Sequence, residues 1–367
     1  MHRLFRKKVL MLMFFIVMMI LTSCGQPTDE VEGNTENNGD ELEESTQGNG
    51  APDDAEIVIT FSHNQATDTP EHVGAETFKE TIESASDGRV CVDIYPASQL
   101  GSLREQTEST QIGEIDITMQ PTAVVSPFVE DIGIVDLPYL WPKDYDALFE
   151  VQDGDLGDEL LERLEQGQFH GLGLWFQGFK LITTDGVEIH EPSDFEGLSI
   201  RTMEAPVLLS QYEAWGGNPV PVPYAEVYNA LQQGVVDGQE NPLQTIIMNN
   251  YHEVQDTIIQ SYHGTMTYVV MANKAWFDGL PEDIQQLVEE AELAGRKAAR
   301  EALMELEAGY IEELQSTEGI NYYELTDEEI DVFREVSLPV HEEHFDDEWQ
   351  TDFLQRLYKA IEEATSK

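Results

Sequence analysis

Apolar residues in this chain fall into short unbroken runs and longer stripes with a helical repeat. The runs within residues 56–61, 89–95 and 113–119 predict buried strands. Between them the spacing predicts a helix over 71–85, with Val73, Phe78 and Ile82 toward the core, and a second over 103–112. Strand and helix thus alternate, which implies a parallel sheet with right-handed crossovers. Beyond it, residues 144–164 read as one helix and 171–176 as a buried strand ending at Gln177-Gly-Phe-Lys180. The chain is expected to cross there into a second domain, built on strands 180–184 and 198–201 and helices 206–215 and 225–233. Residues 262–272 read as the return strand. Helical spacing then runs unbroken from Ile284 to Leu314, opened by Pro281, Glu282 and Asp283. A helix of about 35 residues reaches roughly 50 Å, longer than one small domain, and can brace two. Two amphipathic helices, 327–347 and 348–364, close the chain.

The expected fold is therefore α/β with two lobes, a ligand cleft between them and a long bracing helix. Lobe I takes 55–178 and about 267–305. Lobe II takes 179–266 and about 306–367.

The N-terminus stands apart. Arg3, Arg6, Lys7 and Lys8 precede an apolar run from Val9 to Leu21, followed by Thr22, Ser23 and Cys24. Residues 1–23 read as a secretory signal. Residues 25–54 hold many Asp, Glu, Asn and Gly and no Lys, Arg or aromatic residue, so they read as a solvated tether. The chain carries 19 Lys and Arg against 72 Asp and Glu, a net charge of −53. That balance excludes nucleic acid, whose phosphates need a basic face, and docking of the protein body on anionic lipid. It suits surroundings of high salt, where screening shortens like-charge repulsion. An anion-binding cleft in so acidic a protein needs local cations. With Cys24 at the cleavage point, Cys91 is alone in a strand, so no internal disulfide framework arises.

Several patterns suggest chemistry and fall short of it. His341-Glu-Glu-His344 has i, i+3 spacing, whereas the zinc-protease pattern needs i, i+4. Asp153-Gly-Asp155-Leu-Gly-Asp158 has the composition of a calcium loop, but its twelfth position is Leu164, which cannot chelate. There is no Gly-x-Ser-x-Gly elbow. No catalytic residue, metal site or cofactor site is assigned. What remains is Arg201 at the tip of the strand 198–201. Ligands in open α/β sheets bind at that edge, and a guanidinium matches a carboxylate in a bidentate way.

The surrounding motifs carry a family resemblance. Gly197-Leu-Ser-Ile-Arg201, Asn218-Pro-Val-Pro-Val-Pro-Tyr224 and Gly238-Gln-Glu-Asn241-Pro242 stand in order, with Gln99-Leu-Gly-Ser102 and Arg104 upstream. From about Ile57 to Phe345 the chain resembles the solute-binding subunit of tripartite ATP-independent periplasmic (TRAP) transporters, dicarboxylate (DctP) type. The N-terminus resembles a lipoprotein signal, with Cys24 as the lipidated residue. The resemblance implies an extracytoplasmic, lipid-anchored receptor without enzymatic activity. It would capture a C4-dicarboxylate-like organic acid and deliver it to a small and a large membrane subunit driven by an ion gradient. Sugar acids, 2-oxo acids and a role beside a sensor kinase are the alternatives. Carried over residue by residue, Arg201 would pair with the ligand carboxylate, Asn241 would hydrogen-bond it and Tyr224 would pack beside it. Lys180 stands where the family has an arginine and would supply a second cation without the fork. Asn64 and Gln120 would add polar contacts and Trp175 an apolar wall. Glu204 would oppose a carboxylate or accept from a hydroxyl or ammonium group.

Overall fold

In a computed structural model of the chain the described residues are 55–367. The leader, Cys24 and the acidic tether lie outside them.

The three first runs form β1 (Ile57–His63), β2 (Val90–Tyr95) and β3 (Ile117–Pro121), paired in parallel in the order β2-β1-β3. Two helices link them, α1 (Pro70–Ala85) and α2 (Leu103–Ile112). α1 begins where the Thr69 hydroxyl accepts the His72 N–H, and α2 where Ser102 and Glu105 form a capping box. Phe78 and Ile82 are buried as expected, but Val73 is 45% exposed. The buried stripe runs through Gly74, Phe78 and Ile82, an i, i+4 line, with Ala75 beside it.

The expected change of domain at Lys180 is made by one continuous strand, β4 (Phe169–Thr184). Up to Phe179 it pairs antiparallel with the return strand β9 (Thr265–Asn273), which also pairs with β3. From Lys180 to Thr184 it pairs with β7 (Gly238–Pro242), and near its end with β8 (Thr257–Gln260). Two irregularities, at Gly171/Gly173 and Phe176/Gly178, bend the strand, and Gly178 takes φ 128°. Parallel strands β5 (Ser199–Thr202) and β6 (Asn218–Pro221) extend the second half, and β10 (Asn321–Glu324) pairs with β8.

The helix expected over 144–164 is broken in two, α3 (Tyr145–Gln152) and α4 (Asp155–Glu162). At Gly157 the Gln152 carbonyl oxygen lies 1.9 Å from where a Cβ would stand. The turn at Asp153-Gly154 thus brings the chain so close to itself that only glycine fits at 157, although the apolar repeat continues across the break. After α5 (Pro206–Ala214) and α6 (Leu243–Met248) comes α7 (Glu282–Ser316), 35 residues long. Val288, Ala291 and Ala299 of α7 join the core of the first lobe, and Leu314 joins that of the second. α8 (Asp327–His344) and α9 (Glu348–Thr365) complete the two-lobed α/β fold. Among the described residues no helix is long and apolar enough to cross a membrane.

Candidate functional site

The carboxyl ends of the parallel strands in the two lobes face one cavity of about 500 Å3. Segments that follow β2 and β3 supply Ser98, Leu103, Arg104 and Val124 from one side. The end of β5 supplies Arg201, and the segments that follow β5 and β6 supply Met203, Glu204, Val222 and Tyr224, from the other. Arg201 is the penultimate residue of β5, so the strand fixes its backbone while its side chain enters the cavity wall. It is 2% exposed. Its Nε donates to the Val222 carbonyl at 3.0 Å. Burial pulls its pKa down, and among the described residues no carboxylate pairs with it. A buried guanidinium without an acid partner costs folding free energy unless an anion meets it.

Two further charges stand at the cavity from opposite lobes. Arg104, in the first turn of α2, lies 3.9 Å from Glu204 and donates to Glu108 at 2.9 Å. The guanidinium also sits 5.4 Å from the Phe128 ring centre. Both Arg104 and Glu204 are more than half exposed, so their attraction is screened. Tyr224 packs in the wall and its hydroxyl accepts from the Asn249 amide at 2.9 Å. Arg201, Tyr224 and Glu204 are thus brought together as the sequence reading expected. Arg104 was missed as a site residue, although it belongs to the quoted motif; its signal was the Ser102-x-x-Glu105 capping box, which starts a helix at the cleft.

The other assigned residues lie deeper or elsewhere. Asn64 follows β1 and is buried; its amide lies near the Tyr268 hydroxyl but makes no well-formed hydrogen bond. Gln120 is buried in β3, donating to Thr118 Oγ1 at 2.8 Å with its own Oε1 unpartnered. Asn241 is buried in β7 and donates to Gln239 Oε1.

Lys180 departs from its assigned role. Its Nζ is fully buried, 2.6 Å from Glu240 Oε1. The other Glu240 oxygen receives Tyr212 Oη at 2.9 Å and lies 2.8 Å from His263 Nε2. Burial alone would raise the Glu240 pKa, yet Lys180 and His263 hold it well below the carboxylate range. The ammonium is spent on a neighbour of the strand β7, because Pro242, opposite Lys180, follows Glu240 by two residues in the same ladder. Trp175 departs as well. Its indole is wedged between helices, close enough that a Cβ on Gly74 or Gly295 would meet it, and Nε1 donates to Glu292 at 2.9 Å. It is core between α1, α7 and β4, not a cleft wall.

The histidines of the set-aside 341–344 motif are engaged within the fold. His341 bridges the Pro138 carbonyl and Tyr358, and His344 bonds Ser210. Among the described residues no group of three His, Cys, Asp or Glu could hold a metal ion.

Comparison with known proteins agrees with this geometry. Residues 61–348 match the DctP family, described as bacterial extracellular solute-binding protein, family 7. The chain is 38% identical over 288 residues to the C4-dicarboxylate-binding periplasmic protein DctP of Rhodobacter capsulatus, covering 78% of this chain and 86% of that one. It superposes on a TRAP periplasmic solute binding protein of Desulfovibrio salexigens with bound orotic acid, at TM-score 0.80 and 27% identity, over 84% and 99% of the two chains. A TRAP solute binding protein of Sulfurospirillum deleyianum with bound succinate matches at TM-score 0.74 and 29% identity, over 84% and 99%. The match over residues 61–348 and the two-lobed frame agree, and the chain belongs to the DctP family of TRAP transporter solute-binding proteins.

Proposed function

We propose that the protein captures a small organic carboxylate between its lobes and hands it, unchanged, to the membrane subunits of a TRAP transporter. The observation that carries this reading is Arg201, buried at the cavity with its guanidinium joined to the Val222 carbonyl and, among the described residues, to no acid. A ligand carboxylate would take the remaining N–H groups in fork geometry. Closure of the lobes would remove water and strengthen that pair. C4-dicarboxylates come first in the panel, supported by the name of the Rhodobacter relative and the succinate of the Sulfurospirillum structure. Sugar acids and 2-oxo acids follow. Glu204, beside Arg104 at the cavity, suits a ligand that also carries a hydroxyl or ammonium donor. The apolar surfaces of Leu103, Val124 and Met203 would hold the carbon skeleton.

The charged leader, the apolar run and the small residues before Cys24 support lipidation of that cysteine at the outer face of the cytoplasmic membrane. The mass of the N-terminal peptide would show or refute the lipid.

A thermal-shift screen of the acid panel identifies the ligand, because a ligand of the folded form raises the melting temperature. Calorimetry on Arg201→Ala then tests the site. Leaving the bound anion without its cation is expected to cost on the order of 3–5 kcal/mol. Arg201→Lys keeps charge without the fork and is expected to recover part of the loss. Unchanged affinity in Arg201→Ala would remove the basis of the assignment.

A further inference from the structure

One wall of the cavity hangs on a pair of histidines that the site itself does not use. Ser98 faces the cavity, and with Ala97 it holds a backbone conformation that side chains disfavour, φ 59° and 51°. Two backbone bonds keep this turn in place. The Ser98 N–H donates to the His63 carbonyl at 3.1 Å, and the Ala97 N–H to the Gln65 carbonyl at 2.9 Å. The segment 63–65 that supplies both acceptors is itself set by side chains. Gln65 Nε2 donates to Tyr268 Oη at 2.7 Å. The Gln65 N–H donates to His63 Nδ1 at 3.2 Å. His63 Nε2 lies 3.2 Å from His72 Nδ1, and His72 Nε2 lies 3.5 Å from Glu76 Oε1.

These contacts dictate the proton positions. Because His63 Nδ1 accepts from a backbone N–H, its proton must sit on Nε2. That N–H donates to His72 Nδ1, so the His72 proton sits on Nε2, toward Glu76. Every nitrogen in the chain is assigned, and the assignment holds only while both rings are neutral. If His72 takes a second proton, two N–H groups face each other across 3.2 Å. His63 can then keep its bond to Gln65 or avoid the clash, but not both.

We propose that His72 is a positioning residue whose protonation loosens the 63–65 segment, and with it the Ala97–Ser98 wall of the cavity, so that the cleft is shaped by external pH. His63 is fully buried and His72 partly so. Burial lowers the pKa of both, that of His63 to about 3, with the His72 ring adding to the effect. The groups that act on the pair are the two imidazoles and Glu76, which favours a charged His72. From the opposing helix α7, Tyr310 is set against Asp68 and Glu71. A depressed folded pKa means that the ordered form is complete above about 6.5, the ordinary histidine value, and is lost as pH falls from there.

The test needs no ligand, so it stands apart from the fate of the receptor reading. Amide resonances of Ala97 and Ser98 are followed by NMR from pH 8 to 5 in the folded protein and in His72→Gln. Glutamine can still accept from His63 Nε2 through its carbonyl oxygen, and it does not titrate. In the unaltered protein the two amides are expected to move with the midpoint of the His72 ring. Their hydrogen exchange, corrected for intrinsic rate, is expected to speed up at least about tenfold. In His72→Gln both signals should stay flat. Flat Ala97 and Ser98 amides while the His72 ring titrates, or the same titration in His72→Gln, would overturn the proposal.

Discussion

Replacing Lys180 by methionine separates two roles that the sequence alone could not. The ammonium lies 2.6 Å from Glu240, with both side chains at most 1% exposed. Methionine fills most of the volume and removes only the charge. Glu240 then remains buried with His263, Tyr212 and Gln211 as its partners, at 2.8, 2.9 and 3.3 Å. Breaking a buried pair by removing one member costs about 3–5 kcal/mol, because the other charge is left uncompensated. For a chain of this size that corresponds to a melting temperature lower by roughly 5–15 °C. Adding Glu240→Gln removes the stranded charge, so the double variant is expected within about 2 kcal/mol of the unaltered protein. Urea denaturation of the four proteins gives the cycle. Folded Lys180→Met is expected to bind ligand within about threefold of the unaltered affinity. The pair also carries a pH signature. The Glu240 pKa is depressed on folding, so its contribution is present at neutral pH and is lost as pH falls below its ordinary value of 4.5. A single variant that loses less than about 1 kcal/mol, or one that loses binding while stability stays intact, would refute the reasoning and return Lys180 to the ligand.

Two further substitutions probe the same frame. Trp175→Ala empties the space between Gly74, Gly295 and Glu292 and is expected to cost about 3–5 kcal/mol in denaturation, with ligand affinity within threefold; a selective loss of affinity would make the indole a cleft wall after all. Asp136 is raised by burial to about 7, against the pull of Lys180, and its Oδ2 has no hydrogen-bond partner. The folded state binds that proton more tightly than the unfolded one, so its charge opposes folding above pH 7 and ceases to do so as pH falls toward 4. Asp136→Asn is therefore expected to raise stability on the order of 4 kcal/mol at pH 8 and by less than half as much at pH 5, read as melting temperature; an equal gain at both values would contradict it.

The alternation of strand and helix was legible because each first-lobe element carries its own apolar repeat, and Phe78, Ile82 and Cys91 are buried as that repeat requires. The place of Arg201 beside the cavity was legible for the same reason, since the short apolar run 198–200 puts it near the end of β5. What escaped depends on partners far along the chain. Glu240 lies 60 residues from Lys180, and nothing local reveals that they meet. The face of Trp175 was hidden by the irregularities of β4, which shift the inside-outside parity that a regular strand would keep. The break between α3 and α4 was hidden because apolar spacing continues across Asp153-Gly154, and the close approach of Gly157 to the Gln152 carbonyl that the break requires leaves no mark on that spacing. Arg104 stood in view within a motif; only the placement of the α2 N-terminus at the cavity turned it into a site residue.

The 35-residue α7 has a consequence for how such a chain can diverge. Each added or deleted residue in its middle would rotate everything beyond by about 100° and shift it about 1.5 Å. Leu314 would leave its hydrophobic neighbours in one lobe while Val288 kept its own in the other. Length changes are therefore tolerated best in the turn after Ser316 and in surface loops, and the helix acts as a ruler whose graduations can be repainted but not respaced.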